Sequence, residues 1–162
     1  MNPPEPTDDP TPEEPSVFTR IIRGEFPGRF VWRDDTVVAF LTIAPIQPGH
    51  TLVVPIEQVD HWLDVEPALW AHMAEVQQAI GRAQMTAFRR TRIATIVAGL
   101  EVPHCHVHLV PIDSESDISF AKADPSVPDA EQDASAASIR AALRDAGHGP
   151  YVPGEPPAGA PS

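Results

Sequence analysis

A chain of 162 residues holds enough material for one domain with one core and too little for a multidomain assembly. Its 23 Asp and Glu against 11 Lys and Arg leave a formal charge of −12, the wrong sign for a nucleic acid or an anionic membrane surface, which are held by basic side chains on phosphates. Cys105 is the only cysteine, which excludes an intrachain disulfide and a cysteine-rich zinc centre and fits a reducing, cytoplasmic setting.

Residues 1–15 contain six prolines, five acids and no basic residue. That composition predicts a disordered tail, and it lacks the basic and then apolar run of an export signal. Ser16 is positioned to cap a short helix through Ile22, with Gly24 as its stop. Phe30–Arg33 and Val37–Thr42 are β-branched and aromatic runs around Asp34-Asp35 and predict a hairpin; Thr51–Pro55 predicts a third strand. Between them Ala44-Pro45-Ile46-Gln47-Pro48-Gly49-His50 forms a fixed, non-repetitive loop that ends on a histidine. The uncharged stretch from Thr36 to Ile56 is broken by those prolines and glycine and so predicts no membrane span.

From Glu66 to Arg90 apolar residues recur every three or four positions, with Pro67 near the first turn, which predicts the longest helix. The spacing of Trp62, Trp70 and Met73 predicts core. Arg92–Ala98 and Cys105–Pro111 read as two further strands. Ile112–Asp133 is acidic and reads as an irregular, solvated loop, followed by a last helix over Ala134–Ala146 with Ile139 and Leu143 inward. Residues 148–162 are rich in Pro, Gly and Ala and predict a second disordered tail, which leaves 16–147 as an α+β domain with an antiparallel sheet.

Three of the seven histidines alternate in His104-Cys105-His106-Val107-His108-Leu109-Val110-Pro111. On a strand, positions i, i+2 and i+4 share a face, so the three imidazoles would line up while Cys105 packs as a small apolar residue on the other side. The residues alone leave three readings open: a solvated strand face, an open metal site of three neutral imidazoles, or nucleophilic and acid–base imidazole chemistry. Of the other histidines, His61 reads as a helix cap, and His72 and His148 as solvated.

Residues 104–110 fit the His-φ-His-φ-His-φ-φ signature of the histidine triad (HIT) proteins, with φ apolar, and the chain resembles that family more widely. Phe18 to Pro27 is similar to its opening helix and turn, Asp34-Asp35 with Ala39-Phe40 to its first hairpin, and Ala44-Pro45 through Pro55 to its loop and third strand. The resemblance implies a HIT-like α+β fold with a five-stranded antiparallel sheet, a homodimer, and hydrolysis or transfer at the α-phosphate of a nucleotide conjugate through a covalent histidine–nucleotide intermediate. No cofactor and no metal are expected, because no carboxylate or cysteine stands where it would complete a closed site with the histidines.

By the same resemblance His106 is the nucleophile, His104 and His108 position it and contact phosphate, and His50 braces the triad. Phe40, Thr42, Ile43, Gly99 and Glu101 fall at nucleotide-contacting positions, Gly99 where backbone approaches phosphate. The chain departs from the family pattern at Thr42, where many members carry a ribose-gripping Asp, and at Leu100 and Glu101, where many carry Gln and Ser. It departs again at Ser16 and Thr19, where some carry a zinc-binding Cys pair, and its only asparagine is Asn2. The expected function is a nucleotide hydrolase or nucleotidyl transferase acting on a nucleoside phosphoramidate, dinucleoside polyphosphate or related conjugate. A zinc-dependent hydrolase using the same three histidines and a nucleotide-binding scaffold without turnover are the alternatives.

Overall fold

A computed structural model describes residues 13–154. Most of the two predicted tails, residues 1–12 and 155–162, lies outside the described residues.

The chain runs α1 (Val17–Ile22), β1 (Phe30–Arg33), β2 (Val37–Leu41), β3 (Thr51–Pro55), α2 (Pro67–Phe88), β4 (Arg92–Ile96), β5 (Val107–Ile112) and α3 (Asp129–Asp145). Short 3-10 turns at Trp62–Asp64, Glu115–Asp117, Phe120–Lys122 and Gly149–Tyr151 complete it. The strands form one sheet in the order β1-β2-β3-β5-β4, with every neighbouring pair antiparallel. The predicted α+β architecture with five antiparallel strands is therefore present.

Local chemistry explains the elements. Ser16 caps α1 by accepting from the Thr19 N–H at 3.0 Å. Pro67 opens α2, and Arg89 ends it in the left-handed region with its N–H donating to the Met85 carbonyl. The central strands β2 and β3 are buried at every position, because both sheet faces are covered. Val37, Ala39 and Leu41 face α2 and α3 with Met73, Ile80, Ile139 and Leu143. Val38 and Phe40 point the other way, onto Phe18, Ile21 and Ile22.

Several expectations are corrected. The strand carrying the histidines begins at Val107, two residues later than predicted, because the Cys105 N–H donates outside the sheet, to the Val59 carbonyl at 2.6 Å. Helix α3 begins at Asp129, five residues before the predicted start, since Asp129 and Glu131 fall in its first turn, where carboxylates favour the N-terminal end of the dipole. The run from Asp113 to Asp133 is not a solvated loop throughout. Arg90 pairs with Asp113 and Asp117, and Arg29 pairs with Asp129 at 2.9 Å and Asp133 at 2.8 Å.

Among the residues expected in the core, Met73 is fully buried, but Trp62 is 41% exposed and stacks on Trp70 with ring centroids 5.4 Å apart. His61 caps the 3-10 turn by accepting from the Leu63 N–H. His72 and His148 are engaged instead of merely solvated. His72 Nε2 lies 2.7 Å from Asp34 Oδ2, and the His148 ring lies 5.4 Å from that of Trp32, on which Tyr151 stacks.

Candidate active site

A cavity of about 1130 Å³ opens on the α1 face of the sheet, lined by α1, the end of β2, the loop before the triad and the start of α3. Phe40, Thr42, Ile43, Gly99, Glu101, His106 and His108 line it. His50 and His104, both buried, are not among its lining residues. The expected single row of three imidazoles is thus divided. The His106 and His108 rings are neighbours at 4.9 Å, whereas His104, ahead of the strand, turns into the interior.

The hydrogen bonds fix which nitrogen carries each proton. His104 Nε2 lies 2.7 Å from the Pro55 carbonyl, which only accepts, so Nε2 carries the hydrogen and Nδ1 accepts from the Ser16 hydroxyl at 2.7 Å. Both nitrogens of His104 are occupied. His106 Nδ1 donates to the His104 carbonyl at 2.7 Å, which leaves the lone pair of its ring on Nε2. The Ile46 N–H donates to His50 Nδ1 at 3.1 Å, so His50 carries its hydrogen on Nε2 and donates to His108 Nδ1 at 2.9 Å. His108 consequently presents an N–H at Nε2. A relay of backbone and imidazole groups yields one nucleophilic lone pair beside one donor.

Electrostatics keep these rings neutral. Burial, followed by the charges His108 and His106 would carry, pushes His50 down to about 3. Burial and then His106 push His108 down to about 4. Burial also lowers His104, against the pull of its bond to the Pro55 carbonyl, and lowers His106, against its bond to the His104 carbonyl and the nearby Glu101 carboxylate. Cys105, on the opposite side of the sheet, is buried and raised to about 11 by desolvation, which disfavours its thiolate.

A family model for the HIT domain matches residues 23–115. The chain belongs to the HIT family. A HIT-like protein of Mycobacterium tuberculosis is 32% identical over 138 residues, 80% of this chain and 93% of that one. The purine nucleoside phosphoramidase of Escherichia coli is 33% identical over 110 residues, covering 60% of this chain and 87% of that enzyme. A zinc-bound histidine triad family protein from Mycobacterium smegmatis superposes with a TM-score of 0.71 at 29% identity, over 82% of this chain and 96% of that structure.

Sequence reading missed parts of this HIT site. Phe120 meets the His108 ring edge-to-face at 4.9 Å and lines the cavity, but it comes from an irregular segment with no periodicity to mark it. Arg29, Asp129 and Asp133 also line the cavity, yet Arg29 stands about a hundred residues from the two carboxylates in the chain. Gln58 accepts from the Ser16 N–H and the Thr19 hydroxyl and so fixes the groups that hold His104. No motif signalled it.

Proposed function

We propose that this HIT protein hydrolyses or transfers nucleotidyl groups at the α-phosphate of a nucleoside phosphoramidate, a dinucleoside polyphosphate or a related conjugate, with His106 as nucleophile. The observation that carries the reading is the free lone pair on His106 Nε2, created by donation from Nδ1 to the His104 carbonyl, next to the His108 N–H in one cavity. His106 Nε2 attacks the α-phosphorus. The P–N or P–O bond breaks, its electron pair leaves with the departing group, and that group takes a proton from water. The His104 carbonyl accepts from the Nδ1–H of the nucleotidylated ring, and His108 Nε2–H donates to the phosphoryl oxygens. Water then attacks phosphorus, His106 regains its electron pair, and a nucleoside monophosphate is released. Phe40, Thr42, Ile43, Gly99 and Glu101 line the nucleotide side of the pocket in this reading.

A zinc-dependent mechanism fits the donor set poorly. Both His104 nitrogens are used, and the groups gathered at His104 are the Ser16 and Thr19 hydroxyls and the Gln58 amide, which are weak zinc ligands. A homodimer is supported by β4, which pairs only with β5 among the described residues, and by a groove of about 670 Å³ beside it lined by Gly81, Met85 and Ile93. Sedimentation at micromolar concentration tests it. The lone buried thiol suits a reducing cytoplasm, and among the described residues no helix is long and apolar enough to cross a membrane.

Rapid quench with adenosine 5'-phosphoramidate should trap an acid-labile nucleotidyl adduct on His106, with turnover persisting in EDTA. An adduct on His108, or activity lost with a stripped metal, overturns the mechanism. Binding without turnover of any conjugate favours the scaffold reading.

A further inference from the structure

Gln84 lies in α2, on the opposite side of the sheet from the cavity, and is fully buried. Its Nε2 donates twice, to the Gly49 carbonyl at 2.9 Å and to the Leu109 carbonyl at 3.1 Å. Those carbonyls belong to the residues directly before His50 and directly after His108, the two rings that meet through His50 Nε2 and His108 Nδ1 at 2.9 Å. The β3–β5 ladder has pairs Val53↔Val107, Leu52↔His108 and Thr51↔Leu109, and ends there. His50 therefore sits one residue past the last rung, where sheet pairing no longer sets its distance from β5. The Gln84 amide supplies a side-chain rung at that point.

Two observations separate this from ordinary core packing. The Gln84 Oε1 is buried with no partner, a defect that a methionine of similar volume would not have. The amide cannot flip to relieve it, because Oε1 would then face two carbonyl oxygens. The same helix also seats the loop through Phe88. Gly49 has φ +84°, and a Cβ there would collide with the Phe88 ring. Gln84 and Phe88 together form a bed for the backbone that delivers His50.

We infer that Gln84 is a positioning residue for the His50–His108 pair, holding from behind the sheet the spacing at which His50 donates to His108 and so directs the His108 N–H into the cavity. The catalytic consequence rests on the function proposed above; the positioning itself does not.

The test replaces Gln84 by Met, which keeps volume and removes both donors, and by Asn, whose amide is too short to span the two carbonyls. In wild-type protein, nitrogen-15 spectra of the imidazoles should show His108 as the Nε2–H tautomer. In either variant the His108 signals should move toward a mixture of tautomers while the protein remains folded. With adenosine 5'-phosphoramidate, kcat should fall about tenfold with KM within twofold, a barrier change of about 1.4 kcal/mol. In a His50→Ala background Gln84→Met should have no further effect on kcat, because the interaction it supports is gone. An unchanged His108 tautomer in both folded variants overturns the inference whether or not the protein turns over substrate. So does a kcat loss that adds fully to that of His50→Ala. Absence of turnover in the wild type, with the tautomer shift present, overturns the proposed function and leaves the positioning role standing.

Discussion

On the face of the sheet under α2 and α3, Met73, Ile80, Ile139 and Leu143 are sealed from solvent against Val37, Ala39, Val107 and Leu109. On the face under α1, the chain that supplies Val107 and Leu109 supplies His106 and His108 to an open cavity. The contrast is produced by two-residue alternation within one run of chain, so the side chains that hold the fold and those that line the cavity are adjacent in sequence and separated by the thickness of a sheet. A substitution on either face should therefore report on one property with little effect on the other.

The largest expected effect removes the proposed nucleophile. His106→Gly should lower turnover of adenosine 5'-phosphoramidate by about 10⁴-fold or more while the Tm moves by only a few degrees, measured by steady-state kinetics and thermal melts. A collapse of the fold would erase the contrast, since it would make His106 a core residue. Ile80→Ala works from the other face. Urea titration should show a loss of about 2–5 kcal/mol from the cavity left behind, with kcat of the folded protein within twofold of wild type.

Within the cavity, the departure at position 42 sharpens the comparison. The Thr42 hydroxyl accepts from the Ala44 N–H at 3.3 Å and offers a ribose one neutral group where a carboxylate offers two charged acceptors. Thr42→Asp should raise the ratio of kcat/KM for adenosine over deoxyadenosine phosphoramidate by about tenfold.

The effects of pH have opposite signs at two places. His50 and His108 sit at about 3 and about 4 in the folded state. As pH falls below the ordinary histidine value near 6.5 the unfolded chain takes up their protons first, and stability drops until the folded values of about 4 and then about 3 are passed. His72 is raised, by its hydrogen bond to Asp34 first of all. Its contribution is complete below the unfolded value and disappears as pH rises through the folded one. The Tm gap between wild type and His72→Gln should thus be open at pH 5.5 and closed by pH 9, and a gap that widens with pH would contradict the pairing.

Much of this was legible in the sequence, because the strands alternate cleanly, Ser16 and Pro67 mark helix starts by their own chemistry, and the triad is a local pattern. His106 and His108 emerged as neighbours for that reason. The burial of His104 was not legible. Whether a residue at the start of a strand stays in the ladder depends on where its backbone N–H finds an acceptor, and Cys105 finds it at Val59, 46 residues away in the chain. The acidic run misled for a related reason: a carboxylate in a loop and one in a helix's first turn have the same composition, and only Arg29 and Arg90, brought in from elsewhere, distinguish them. Gln84 was hidden by its own helix, where polar residues are common and nothing marks which one faces inward.

Cys105 follows directly after His104 and lies within the dry layer. Its thiol is both shielded and weakly acidic, raised to about 11, so an added thiol reagent can react only during an excursion that exposes this core layer. Since it is the only sulfhydryl, the rate of alkylation is a clock that counts those openings at one defined place, two residues before the start of β5, without any label being introduced.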